Sequence, residues 1–490
     1  FELEPLSYVA GTSLKETLDN LLYALNDGLV GLNQEFYEFR HDRIQEAAYS
    51  MMTPEKRMST HQRIGRLALQ NTPLEQRNER IFYIVNQLNQ GVSLVNDQAE
   101  MAQLVALNIA AGRMARSTAA FVQAFHYYEF AMRMLTPDSW SQSYETTLAL
   151  FNEGAETAYL SGKFAEMEQM SAQVMLKANN ILDKVPIYQV RMSTYMAMGD
   201  PRSAVNIALE ILRFLKIRFP KKPSMFDFVT SVVKSKIFLW GNRKKNLADL
   251  PDVTDPYALA TLKILAQACS AAYFSMPVLC FLMTIKAFRL SVTYGSTTHT
   301  PYIFAQYGGI LCAFTDFGTG YKFGKLALGL LPKLRFGEQY AKVKIFVNTY
   351  VMHWKEHVRD ALPVFKDAHP ISLESGDLEF AAFSALMYCY HSFYSGVHLE
   401  ALERELARYI SIVADTKQDP TLNLLKVHHQ LILNLLGKAE SDYQLIGPSY
   451  NENEAKPTSG SELYKLQLRY LLGHFEEALE CGNWVGRRKT

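Results

Sequence analysis

Three short segments of this 490-residue sequence hold side chains whose types and spacing match known chemistry. His353-Trp354-Lys355-Glu356-His357 has the H-x-x-E-H pattern used in zinc hydrolysis. On a helix, imidazoles at i and i+4 share a face and bind the metal, with the glutamate as general base. The pattern falls where the repeat described below expects a turn, and no downstream acidic third ligand is evident, so we read it as structural. Gly318-Thr319-Gly320-Tyr321-Lys322-Phe323-Gly324-Lys325 approaches a phosphate-binding loop. Five residues rather than four separate Gly318 from Gly324, and Leu326 stands where a Ser or Thr would hold Mg²⁺. Asp316-Phe317-Gly318 spells a kinase Mg²⁺ tripeptide without the catalytic loop or lysine motif that would accompany it. We read both as parts of a repeat turn and expect no catalytic residue, no metal site and no cofactor in this chain.

A fourth candidate is electrostatic. Arg213–Lys245 holds ten basic residues and one acid, Asp227, a local net of +9. Lys216, Arg218, Lys221, Lys222, Arg243, Lys244 and Lys245 are its core. They form either a solvated face or a docking patch for an acidic partner or phosphate-bearing ligand. The whole chain carries only +1, from 50 basic and 49 acidic residues, which gives no general pull toward nucleic acid or membrane. Five cysteines, Cys269, Cys280, Cys312, Cys389 and Cys481, lie in or beside apolar stretches without a C-x-x-C pair. Their odd count fits packed thiols in a reducing, cytoplasmic compartment. The aromatic groups in Tyr294–Tyr307 and Tyr388–Tyr394 read as core filling between helices.

The elements that must position these residues are helices. Apolar residues recur at three- and four-residue spacing in Tyr144–Leu160, Phe164–Ala178, Ser203–Leu215 and Leu399–Val413. Small-residue turns punctuate them at Gly162, Gly199, Gly318, Gly396, Gly437 and Gly473. The steps are 37 residues from Gly162 to Gly199, 78 from Gly318 to Gly396 with the His353–His357 turn near the midpoint, then 41 and 36. That period predicts an all-α, TPR-like helical-hairpin solenoid, because one hairpin cannot bury its apolar face alone. Ile264–Ile285 has 22 residues without a charge, long enough to span a membrane. Pro277 interrupts it, so Ser275-Met276-Pro277 is expected to end one buried helix and begin another, with no membrane span.

The first residues differ. A helix over Leu14–Leu25, a hairpin from Leu29–Leu32 and Phe36–Phe39, and a helix from Asp42 predict a small winged-helix-like unit. We expect four regions: 1–70, that unit; 71–215, a first repeat segment; 216–256, a basic irregular linker broken by Pro220-Lys221-Lys222-Pro223; and 257–490, a second repeat segment. Asn451–Gly460 reads as a further loop. Both ends read as cut, so a piece of a longer protein is expected.

The block Phe39-Arg40-His41-Asp42-Arg43-Ile44-Gln45-Glu46-Ala47-Ala48-Tyr49-Ser50, with His61-Gln62-Arg63-Ile64-Gly65-Arg66-Leu67, resembles the end of the ATPase module in large bacterial signalling proteins. These join a serine/threonine kinase, a STAND/AAA-type ATPase, helical repeats, a GAF domain and a sensor histidine kinase. The resemblance continues through Ile84–Asn89, Ala111–Ala115, Ala158–Gly162, His353–His357 and Gly376–Ala382, nearly the whole chain. It implies a Met-His-Asp-like motif at Arg40-His41-Asp42, with Arg in the Met position. His41 would sense a nucleotide phosphate, and Asp42 would partner it at the helix start. The P-loop, Walker B acid and kinase domains of that family are absent from this sequence, so ATP/ADP and Mg²⁺ would belong to a parent protein. The implied function is a non-catalytic regulatory module that binds parent domains, a signalling partner or a small ligand and couples sensing to a kinase. The alternative is a stand-alone scaffold or transcription-regulator arm.

Overall fold

A computed structural model describes residues 2–33, 36–242, 245–333, 338–439 and 444–454. Among them are 22 α-helices and a single two-stranded sheet. The protein is an all-α, TPR-like helical solenoid. It divides into two compact units, 1–150 and 151–490.

The first unit runs α1 (Leu3–Ala10), α2 (Leu14–Asn26), β1 (Val30–Asn33), β2 (Phe36–Phe39), α3 (Asp42–Ser50), α4 (Pro54–Asn71), α5 (Arg77–Gln90), α6 (Gln98–Ser117), α7 (Phe121–Arg133), α8 (Ser139–Gln142) and the start of α9 (Tyr144–Leu160). The helix–hairpin–helix order expected near residue 30 is present, with Val30 opposite Phe39 in an antiparallel pair. Side-chain caps explain several starts: Ser13 Oγ accepts from Glu16 N, Thr53 Oγ1 from Lys56 N just before Pro54, and Asp97 from Glu100 N. Helices α4 to α7 pack as antiparallel neighbours. Close approach needs small residues: a Cβ on Gly112 would lie 2.7 Å from the Tyr128 ring. Asn89 and Asn108 exchange two amide hydrogen bonds of 2.8 Å, satisfying a polar pair inside this packing.

The second unit continues with α10 (Phe164–Lys177), α11 (Ile181–Ala197), α12 (Pro201–Phe214), α13 (Met225–Gly241), α14 (Pro256–Ser275), α15 (Pro277–Tyr294), α16 (Thr300–Ala313), α17 (Phe317–Leu330), α18 (Glu338–Tyr350), α19 (Ala361–Glu374), α20 (Leu378–Tyr394), α21 (Leu399–Asp415) and α22 (Asp419–Leu435). Gly162, Gly199, Gly396 and Gly437 all have φ near +70°, the left-handed conformation that ends a helix and turns the chain. Gly473 lies outside the described residues. Gly318 does not turn the chain. The turn falls earlier, at Thr315 with φ 66, and Gly318 is inside α17. Met276 supplies another turn, 77 residues after Gly199, about two repeat steps. Only α12, α13 and α14 fill that interval, where regular hairpins would place four helices, so the array is irregular there.

The uncharged run splits as expected. Asp255 caps α14, and Pro277 opens α15 after Met276. Among the described residues α15 is the one helix long and apolar enough to cross a membrane. It packs against α13, α14 and α16. Cys269, Cys280, Cys312 and Cys389 are buried; Cys481 lies outside the described residues. Of the expected aromatic core, Tyr302, Phe304 and Tyr307 are buried and Tyr388, Tyr390 and Phe393 partly so; Phe288 stacks on Tyr307 at 4.1 Å, and Phe323 stands edge-on to both. Tyr294 and Tyr394 instead lie about half exposed.

Within this unit the turn after α9 meets the turn before α22. The Tyr159 hydroxyl accepts from Gln418 Nε2 at 3.5 Å, and a Cβ on Gly162 would lie 3.2 Å from Lys417. Nearby, the Lys342 ammonium is 3.1 Å from the Asp377 carboxylate, with both side chains mostly buried, and it lies over the Tyr302 and Phe380 rings. Asp377 also caps α20 through Phe380 N. Burial pushes the Tyr159 hydroxyl well up from its ordinary value, and Glu379 adds to the shift.

The glycines of the phosphate-loop look-alike let α16 and α17 touch. A Cβ on Gly320 would run into Cys312 Sγ and come 2.7 Å from the Gly308 carbonyl, whereas one on Gly318 meets nothing. Gly320→Val should therefore destabilise the protein by roughly 1–3 kcal/mol through overpacking. Gly318→Ala should stabilise it by about 0.5–1 kcal/mol as a helix substitution. Urea midpoints of the two variants check this pair of opposite signs.

Candidate functional site

His41 is the N-cap of α3, with extended backbone, and its Nδ1 accepts the Arg43 N–H at 3.3 Å. A neutral ring accepting at Nδ1 carries its proton on Nε2, so this exposed imidazole offers a donor to an outside acceptor. The cap itself is His41, and Asp42 follows it as the first residue of the helix. Its carboxylate is exposed in the first turn, where it complements the helix dipole. No residue of α3 is buried. Leu22, Tyr23, Leu29, Leu32, Phe36 and Met51, from the flanking elements, are all more than 40% exposed. The helical pattern could signal α3, but it could not show that both this helix and its flanks would stay uncovered.

The H-x-x-E-H segment is not one helix. Met352–Trp354 and Val358–Asp360 form separate 3₁₀ turns, with His357 capping the second through Arg359 N at 3.1 Å. The i, i+4 face that zinc would need is therefore not formed. Glu356 instead accepts from the Tyr321 hydroxyl at 2.6 Å and lies 3.9 Å from Lys325. The described residues contain no group of three or more candidate metal ligands. The phosphate-loop look-alike is helical, so its amides are not turned toward a common point. Asp316 caps α17 through Thr319 N and pairs with Lys236 at 3.6 Å.

The basic segment is not irregular throughout. Ser224 and Asp227 form a capping box, and α13 then runs for 17 residues. Lys216, with φ 61, and Arg218, Lys221 and Lys222 are exposed before it. Lys245 follows it, while Arg243 and Lys244 lie outside the described residues. A helix of this length spans about 25 Å. Of the described cations, four stand in the seven residues from Lys216 to Lys222 before it, and Lys245 stands after it. Lys245 is already engaged: its ammonium donates at 2.8 Å to the Val292 carbonyl, in the last turn of α15. The cleft beside it, ≈ 200 Å³ and lined by Asn246, Leu250 and Thr293 among others, is smaller than ordinary ligand pockets.

Sequence reading missed the outer face of α13. Phe226, Val229, Val233, Ile237 and Trp240 are 51–77% exposed, while Phe228 and Ser235 on the opposite face are buried. The signal was present: apolar residues at both phases of the helical period.

His391 lies buried in α20, edge-on to Phe365 at 4.9 Å. Burial, reinforced by His353, pushes its imidazole down to about 4. The unfolded chain, with an ordinary value of 6.5, binds the proton first as pH falls. The stabilisation is complete above pH 6.5 and is lost as pH falls from 6.5 toward 4. The loss from this residue should be about 3 kcal/mol. His391→Leu should flatten that part of the profile, read from urea midpoints at pH 7 and pH 4.5.

The fold and these surfaces define an all-α, TPR-like repeat protein. No family model matches the chain. It is similar to the protein described as "Hybrid signal transduction histidine kinase G" from Dictyostelium discoideum, 22% identical over 449 residues that cover 82% of this chain. The chain spans 13% of that relative's length. Among solved structures, a Signal Transduction ATPase with Numerous Domains (STAND) protein with a tetratricopeptide repeat sensor, from Pyrococcus horikoshii, aligns with a TM-score of 0.37 and 13% identity, over 98% of this chain and 63% of that one. The Naa15/Naa10 complex bound to HypK-THB aligns with a TM-score of 0.24 and 12% identity, over 91% and 74%.

Proposed function

We propose that this chain is the non-catalytic regulatory module of a signal-transducing ATPase–kinase, coupling partner or ligand sensing to the kinase. The observation that carries this reading is the exposed His41 imidazole at the start of an uncovered helix, beside exposed apolar residues of the same unit. Such a face suits contact with another domain of a parent protein. The likeness to a hybrid signalling histidine kinase along most of the chain supports the same class. On this reading residues 1–70 are the winged-helix-like end of an ATPase module, with His41 donating to the phosphate of ADP or ATP bound elsewhere in the parent with Mg²⁺. Residues 71–215 and 257–490 are repeat segments joined across 216–256. The repeats bind parent domains or a signalling partner in the cytoplasm.

In this reading the solenoid biases a nucleotide-dependent equilibrium, which requires two arrangements with different affinities for what it senses. In the full-length parent protein, His41→Ala should speed release of bound ADP by roughly 10- to 100-fold, the worth of one hydrogen bond to a charged group. Asp42→Ala should have a smaller effect, about 0.3–1 kcal/mol on the helix start. Stopped-flow release of a fluorescent ADP analogue measures both. Nucleotide turnover that stayed unchanged after removal of residues 151–490 would sink the coupling.

A further inference from the structure

We propose that α13 and its flanking cations form a docking surface for an anionic lipid bilayer. The helix is apolar on two opposite sides. Its inner side is occupied: Phe228 packs against Phe281 and Phe314, with centroids 5.0 and 4.5 Å away, and Ser235 meets the Tyr307 hydroxyl at 3.3 Å. Its outer side carries Phe226, Val229, Val233, Ile237 and Trp240, which at helical spacing fall within an arc of about 80°. Phe226 is 77% and Trp240 71% exposed, one near each end of the helix. Lys236 and Lys234 border this stripe on its two sides, at about 20° and 60° beyond its edges.

Charge selects the occupant. Lys216, Arg218, Lys221 and Lys222 precede the stripe, and Lys245 follows it. The segment's one acid, Asp227, is held in the capping box by Ser224. The nearby Asp316 is paired with Lys236. The result is an exposed apolar stripe along a helix about 25 Å long, with cations before it, after it and beside it. A protein partner would usually find an anchor pocket in its own docking surface or offer one side chain to a groove. A stripe with exposed Phe and Trp and lysines on both borders instead suits a planar interface of apolar chains beneath negative headgroups. The cations need not converge on one phosphate, because the bilayer presents many.

The test is co-sedimentation of the whole chain with vesicles of phosphatidylcholine alone and of phosphatidylcholine with 30% phosphatidylserine. Binding to the anionic vesicles should weaken with added salt, because the cations act through a screened field. The variant Phe226→Ser/Val233→Ser/Ile237→Ser should lose at least tenfold in binding. Lys221→Glu/Lys222→Glu/Lys234→Glu should also lose at least tenfold, given about fivefold per surface cation. Melting curves within a few degrees of the parent chain's would show that both variants fold, as expected for exposed positions. Failure of the parent chain to bind anionic vesicles, or undiminished binding by the two folded variants, would overturn the proposal. So would a dimer in sedimentation velocity that the serine variant abolishes without any vesicle binding, since the face would then belong to a second copy. None of these readouts involves nucleotide, so failure here is separable from failure of the regulatory reading.

Discussion

A helical hairpin has two apolar faces, and its own turn lets it bury only one. The second is covered when the next hairpin stacks on it, and this requirement organises residues 151–439. One continuous core runs from Val185 through Phe288 and Phe323 to Phe380, taking side chains from each successive helix. Turn geometry serves this stacking. Ala119, Thr315 and Lys417 hold left-handed conformations at helix ends although each bears a Cβ. Isolated chains disfavour that conformation for such residues by roughly 1–2 kcal/mol, so packing of the flanking helices must outweigh the local preference. The same constraint explains glycines that are not turns. Gly308, Gly320 and Gly324 keep α16, α17 and the turn after α18 close enough for their larger neighbours to interlock.

These two uses of glycine decide what could be read from sequence. Gly162, Gly199, Gly396 and Gly437 stand where the chain needs positive φ, so residue type and spacing reveal the period. Gly318 has the same letter but lies inside a helix, one of a cluster that mixes packing glycines with a free one. Thr315, which makes the turn beside it, has no compositional mark. The split of the long uncharged run at Met276 was legible because Pro fits a helix's first turn. The order inside 216–256 was not, since its charge density suggested a solvated linker and hid the capping box at Ser224.

The candidate surfaces show a similar division. Sequence neighbours single out His41 as a candidate, whereas its place as N-cap comes from geometry: its imidazole accepts from Arg43 N, leaving Asp42 as the first helical residue. The catalytic look-alikes dissolve for local reasons. His353 and His357 fall on two 3₁₀ turns, and Glu356 is engaged with Tyr321. Two charged groups of the interior are instead tied to each other. Lys342 and Asp377 lie between helices α18 and α20, where removing one partner would strand a buried charge. The candidate surfaces on α3 and α13, by contrast, present their side chains to the outside.

The contact between Tyr159 and Gln418 joins residues 259 apart in sequence. A stacked array of hairpins ordinarily frays from its last repeat inward, each loss leaving the rest intact. Here the turn before α22 rests on the turn after α9, and Pro420 lies beside Gly199. Peeling away α21 and α22 would therefore uncover the turns at Gly162 and Gly199 as well. Among the described residues these contacts close a ring of packing that a simple stack of hairpins, touching only sequence neighbours, does not have.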